Sequence, residues 1–145
     1  MIRKATAHWE GSGKEGKGSL SGPSKVLDNT PYSFTARFEN EDGTKGTNPE
    51  ELLAASHAGC FNMALSFALG GEGFTPDSLH TDALVKIEQV DAGFAVTNIT
   101  LKLNAKVPEV SREQFEKIAN GAKENCPISK ALATVPIKLE ITFSN

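Results

Sequence analysis

The order of patterns along this chain predicts an α+β fold: three short strands, a long helix, two strands, two further helices and a closing strand, rather than strictly alternating strand and helix. Two observations carry that prediction. Segments 97–107 and 137–143 alternate apolar and polar residues, so Ile99, Leu101, Leu103, Ala105 and Val107 share one face, as do Ile137, Leu139, Ile141 and Phe143. The segments beginning at Pro49 and Ser111 instead open on helix-capping residues.

Residues 2–9 and 31–38 read as strands on either side of a Gly/Ser/Lys-rich region, and Gly11 to Ser24 reads as a loop or mobile hairpin. The long helix has Thr47 or Asn48 as its N-cap and Pro49 in its first turn. Glu50 and Glu51 stand where the helix dipole favours carboxylates. Gly70, Gly71 and Gly73 mark its end. The run from Leu52 to Leu69 has the length of a membrane span, but Ser56, His57, Asn62 and Ser66 interrupt it and two glutamates precede it. It reads as a helix buried inside a soluble core. Asp91-Ala-Gly93 turns strand 79–90 back onto strand 97–107. Ser111 and Gln114 form a capping box for a helix to about Asn125, and Pro127 opens a short helix through Leu132.

A chain of 145 residues with 39% hydrophobic and 23% charged residues reads as one soluble domain, 1–145, able to bury a core without disulfide staples. A net charge of -3 gives no basic footprint for nucleic acid. The opening Met1-Ile-Arg-Lys-Ala-Thr-Ala-His-Trp9 lacks the apolar stretch of a signal peptide, so the expected location is cytoplasmic, with no membrane association. In that compartment thiols stay reduced, and a cysteine pair is more often catalytic, redox-active or metal-binding than structural.

The two cysteines are the chemical clue. Cys60 lies within the long apolar helix, and Cys126 directly precedes Pro127. One sulfur to attack and one to resolve is what a dithiol redox cycle requires, although two inert buried thiols remain open at this point. Phe61, Met63 and Phe67 around Cys60 fit either a pocket for alkyl chains or plain core packing. A metal site is disfavoured: there is no C-x-x-C or H-E-x-x-H, and His8, His57 and His80 fall on different elements. His57 shares a helix face with Cys60, but a side chain three residues away on a straight helix points poorly at that sulfur. It reads as a core or interface histidine. A reactive cysteine needs a fixed cation, and a guanidinium cannot lose its charge. Arg37 follows the alternating segment Tyr32-Ser-Phe-Thr-Ala and is the candidate cation. Glu50 is a candidate carboxylate to hold it in a bidentate pair, besides serving the helix dipole.

The segments Arg37-Phe38, Gly46-Thr-Asn-Pro-Glu-Glu-Leu-Leu-Ala-Ala-Ser-His-Ala-Gly-Cys60-Phe-Asn-Met-Ala-Leu65 and Asn125-Cys126-Pro-Ile-Ser129 closely resemble the OsmC/Ohr family of thiol peroxidases, over essentially the whole chain. The resemblance implies an OsmC-like fold, with curved antiparallel sheets wrapped around two central helices in an intertwined homodimer. It implies reduction of organic hydroperoxides, with Cys60 as the peroxidatic and Cys126 as the resolving cysteine. It also implies no bound cofactor or metal, and recycling by an external dithiol, of lipoyl type in some branches. Glu50 matches the carboxylate of the N-P-E-E segment. Arg37 in its A-R-F context matches the OsmC branch, since the glycine-rich stretch Gly11 to Gly18, where the Ohr branch carries its arginine, contains none. Ten helical residues from Glu50 to Cys60 span roughly 15 Å, so one Glu50 does not reach its own Cys60 and a partner's antiparallel helix is expected to supply it. Two alternatives from other classes are a non-catalytic dimeric interaction module and a cysteine hydrolase using Cys60.

Overall fold

The computed structural model describes residues 1–145 and resolves two compact units, Met1–Leu52 and Leu53–Asn145. The elements follow the expected order, with one short helix added.

The first unit carries an antiparallel sheet of β1 (Thr6–Glu10), β2 (Lys17–Ser21) and β3 (Thr30–Tyr32), in that spatial order. Trp9 and Tyr32 both stand opposite Gly18, and their rings pack 5.3 Å apart between centroids. A β-carbon at Gly18 would collide with both rings, so glycine is required there by close approach. The strand expected over 31–38 ends at Tyr32, and α1 (Phe34–Phe38) takes over. Phe34 and Phe38, with ring centroids 5.0 Å apart, would share a face in a strand or a helix, so their spacing does not decide. Ser33 decides: its hydroxyl accepts the Ala36 amide at 3.1 Å and closes a helical turn. Arg37 therefore leaves from the last turn of a helix.

Helix α2 (Pro49–Gly71) is capped by Asn48, whose Oδ1 accepts the Glu51 amide at 2.8 Å, while the Thr47 hydroxyl donates to the Glu51 carboxylate at 2.6 Å. It ends where Gly73 takes a positive φ of 85° and the Phe74 amide returns to the Leu69 carbonyl at 2.9 Å.

In the second unit β4 (Ser78–Val90) and β5 (Gly93–Lys106) form a long hairpin through Asp91 and Ala92, and β6 (Ile137–Ser144) pairs with the other side of β5. The sheet is mixed rather than antiparallel throughout, because β6 lies parallel to β5. The chain crosses from β5 to β6 through α3 (Arg112–Asn125) and α4 (Pro127–Ala131), a connection long enough to bring the next strand back in the same direction. Ser111 caps α3 as expected, accepting the Gln114 amide at 3.2 Å. The face shared by Ile99, Leu101, Leu103, Ala105 and Val107 is buried along its whole length, together with Phe61, Leu65 and Leu69 of α2 and Phe115, Ala119 and Ala122 of α3. Asn62 fastens α2 to the hairpin, donating to the Leu79 carbonyl at 3.3 Å and accepting from Thr81 at 2.6 Å.

One departure concerns α2. By length and composition it could cross a membrane, and it was expected to be buried inside a core. It buries only one side within the chain: His57, Phe61, Leu65 and Leu69 are covered, whereas Met63 and Phe67 remain 65% and 77% exposed. Apolar residues on both sides of a helix leave one side unpartnered when a single sheet covers the other.

Phe115 is wholly buried and stacks on Phe143 with centroids 4.5 Å apart. Phe115→Ala is expected to cost about 3–5 kcal/mol of stability, through lost burial and the cavity left behind. Urea unfolding at fixed protein concentration measures this as a lower midpoint with an unchanged slope.

Candidate functional site

The sequence Asn125-Cys126-Pro127 makes a corner. Proline disfavours helical backbone in the residue before it, and Cys126 accordingly leaves the helical region with ψ 125°. It is both the C-cap of α3, donating its amide to the Ala122 carbonyl at 2.9 Å, and the N-cap of α4, with Pro127 in the first helical position. Cys126 is fully buried; Cys60, reaching it from α2, is half-buried. The sulfurs lie 3.1 Å apart, both as free thiols. That is about 1 Å beyond the ~2.05 Å of a disulfide, so oxidation requires only a small closure.

The two thiols differ in acidity. Burial raises Cys126, but the hydrogen bond with Cys60, the amide and hydroxyl of Ser129 and the Ile128 amide outweigh it, and its pKa lies below the ordinary thiol value. Burial also raises Cys60, and there the hydrogen bond with Cys126 acts in the same sense, opposed by the Ile128 amide. The contact geometry has the Cys126 thiol donating to Cys60, which would put the thiolate on Cys60 instead. A thiol proton can sit on either sulfur across so short a contact, so the first deprotonation belongs to the pair, and burial makes the second costly. No cation figures among the groups that shift Cys60.

The candidate cation lies in the first unit. Arg37 forms the expected fork with Glu50: Nε donates to Oε2 at 3.1 Å and Nη2 to Oε1 at 2.6 Å. Glu50 is nearly covered, at 12% side-chain exposure against 35% for Arg37, so the carboxylate anchors the guanidinium while its outer edge stays open. Phe38 supports the other side, with the guanidinium carbon 4.9 Å from its ring centre. Beside Arg37 a recess of about 130 Å3 is lined by Trp9, Tyr32, Phe34 and Phe38. The sequence leaves Phe61, Met63 and Phe67 as either the lining of an alkyl pocket or plain core packing. Phe61 is core, and Met63 and Phe67 face outward. The recess was missed because its rings come from β1, β3 and α1, which no single periodic pattern joins.

His57 is fully buried and bonds Ser129 of α4, Nε2 to Oγ, at 2.8 Å. It is a core histidine as expected, except that its Nδ1 has no partner. Ser129 was visible only as a member of the Cys126 motif. No three His, Cys, Asp or Glu side chains converge as metal ligands.

Comparison with known proteins bears on both halves. The profile of the family described as OsmC-like protein matches residues 41–141, which include both cysteines and Glu50. The chain belongs to the OsmC family. It is 51% identical over 141 residues to Peroxiredoxin OsmC of Escherichia coli K12, covering 97% of this chain and 93% of that protein. Similarity extends to the organic hydroperoxide resistance protein OhrB of Bacillus subtilis, at 32% identity over 126 residues, 86% of this chain and 88% of that protein. The crystal structure of that OhrB superposes with a TM-score of 0.71, covering 96% of this chain and 98% of that one. The OsmC fold thus accounts for the α+β architecture, and the identity to that OsmC protein exceeds the identity to OhrB.

The coupling between the sulfurs has opposite consequences for the two single deletions. Cys60→Ala removes the strongest influence lowering Cys126, so Cys126 alkylation should move to higher pH. Cys126→Ala removes two influences raising Cys60, so Cys60 alkylation should move to lower pH. Rates of iodoacetamide labelling against pH, read by intact mass, check both signs.

Proposed function

We propose that the protein is a thiol peroxidase that reduces organic hydroperoxides to alcohols in oxidative or osmotic stress defence. One observation carries the reading: two free sulfurs 3.1 Å apart, drawn from elements far apart in sequence, in a chain half identical to a peroxiredoxin. An interaction module needs neither thiol. A cysteine hydrolase needs a base on Cys60, and the nearest histidine in sequence is committed to Ser129.

In the first step the Cys60 thiolate attacks the outer oxygen of R–O–O–H. The O–O bond breaks, Cys60 becomes a sulfenic acid, and the alkoxide takes up a proton to leave as alcohol. Arg37 stabilises the thiolate and the alkoxide as charge moves onto oxygen, and Glu50 holds Arg37 in place. The aromatic recess beside Arg37 takes the alkyl group, which favours organic peroxides over hydrogen peroxide. Cys126 then condenses with the sulfenic acid, forming the Cys60–Cys126 disulfide and water before over-oxidation. An external dithiol of lipoyl type restores the thiols, and neither metal nor bound cofactor takes part. The protein acts in the cytoplasm, away from membrane and nucleic acid.

The active unit is a homodimer. The exposed apolar side of α2 supports this, and the ~15 Å of helical path between positions 50 and 60 favours a site in which Glu50, with the Arg37 it holds, serves the cysteine of the partner.

Thiol titration with one equivalent of cumene hydroperoxide tests the reading. Loss of two thiols, recovered with DTT, is expected, and retention of both sinks it. Cys60→Ser should consume no peroxide, and Cys126→Ser should react once and then accumulate sulfinic acid on Cys60. Arg37→Met should lower kcat/KM by about 10²-fold, and Arg37→Lys should also lose activity because the planar fork is gone. Refolding Cys60→Ser together with Glu50→Ala should restore activity, since the heterodimer keeps one intact site. A verified heterodimer no better than its parents would place Glu50 in its own chain's site, provided that a wild-type/Cys60→Ser heterodimer is active.

A further inference from the structure

His57 and Ser129 form a buried polar contact that the peroxidase chemistry above does not use. His57 is wholly covered and Ser129 is 6% exposed, and their 2.8 Å bond joins α2 to α4 inside the core. Ser129 stands three residues after Cys126, one turn along α4, the helix whose N-cap is Cys126. The contact therefore ends one helical turn from the resolving cysteine.

The orphaned His57 Nδ1 fixes the direction of the bond. A neutral imidazole carries one N–H and one lone pair. A buried N–H with no acceptor forfeits its hydration outright, whereas a bare acceptor is the commoner and milder defect. The proton consequently belongs on Nε2, and His57 donates to Ser129 Oγ. Burial also depresses the His57 pKa, which keeps the ring neutral. With one oxygen lone pair occupied, the Ser129 hydroxyl still has its own proton to place, and its neighbour along the turn is Cys126.

We propose that His57 and Ser129 are positioning residues for the resolving step: His57 holds the Ser129 oxygen as an acceptor, which directs the Ser129 hydroxyl proton toward Cys126 Sγ and, once Cys60 has become a sulfenic acid, stabilises the Cys126 thiolate that attacks it. In agreement, the Ser129 hydroxyl is among the groups that lower the Cys126 pKa. The inference rests on the peroxidase reading and adds to it the control of one step. In that step the Cys126 sulfur attacks the sulfur of the Cys60 sulfenic acid. The S–S bond forms, the S–OH bond breaks, and the hydroxide that leaves takes up a proton from solvent to become water. The Ser129 proton stays on its oxygen throughout. His57 and Ser129 touch neither peroxide nor Cys60 in this scheme, so they govern the second step and not the first.

Single-turnover kinetics on the full-length reduced protein separates the steps, with peroxide loss reporting Cys60 oxidation and non-reducing mass analysis reporting disulfide closure. Ser129→Ala should slow closure by about tenfold or more, and dimedone should trap the Cys60 sulfenic acid that accumulates, while peroxide loss changes by less than about twofold. Ser129→Thr, which keeps the hydroxyl, should restore most of the closure rate. His57→Gln, which keeps an N–H donor, should close faster than His57→Leu. Closure in Ser129→Ala at the wild-type rate overturns the inference while leaving the peroxidase reading intact. Equal slowing of both steps does the same, as does a folded Ser129→Thr that oxidises normally yet closes as slowly as Ser129→Ala. A wild-type protein that forms no disulfide overturns both readings.

Discussion

Burial of the inner face of β5 is the constraint on which the second unit depends. Five alternating side chains from Ile99 to Val107 are each exposed by 2% or less, and a strand paired on both edges can be covered only from above. Phe61, Leu65 and Leu69 of α2 and Phe115, Ala119 and Ala122 of α3 belong to that same buried cluster. At roughly 1.5–3 kcal/mol per large side chain, this is the dominant favourable contribution in the unit. It also explains where the sulfurs are. Cys60 adjoins Phe61, and Cys126 lies one turn beyond Ala122, so registering both helices in the core brings the thiols together. Hydrophobic packing sets the distance, and the sulfur chemistry inherits it.

That inheritance has an electrostatic cost. A site fixed by apolar burial disfavours the thiolate that a nucleophile requires, and Cys60 is raised accordingly. The first unit has the complementary composition: a guanidinium clamped by a nearly buried carboxylate, one edge open, beside an aromatic recess. Each half is chemically incomplete. A thiol pair without a cation is slow, and a cation beside an apolar recess has no nucleophile.

Much of this was legible in the sequence, for identifiable reasons. The β5 face, the α3 capping box and the glycine end of α2 are local signals with fixed spacing, and each appears where its pattern places it. Cys126 was legible because Pro127 forces the corner, and the Arg37–Glu50 fork because planar bidentate pairing suits these two side chains. What escaped was decided by tertiary context. Phe34 and Phe38 satisfy two periodicities, and only a serine hydroxyl chooses between them. The direction of β6 depends on the path of the crossover, to which an alternating pattern is blind. The Ser129 contact joins residues 72 apart in the chain, and nothing local announces it.

The α2 helix links these points. Its sequence reads as buried because apolar residues occur on both sides, yet one chain covers only one of them. Along the open side Ala55, Ser56 and Gly59 are small, whereas Met63 and Phe67 are large. Small residues let two helices approach closely at a crossing, and large apolar ones fill the space where the helices diverge. Positions 50 and 60 lie equally far from 55, roughly 7.5 Å along the axis on each side. In the proposed homodimer, a two-fold pairing of antiparallel α2 helices that crosses at Ala55 would set the partner subunit's Glu50 level with Cys60, and would do so twice. On that proposal the same spacing that keeps the carboxylate from its own cysteine would deliver it to the neighbour's, and completing the core would also complete the active site.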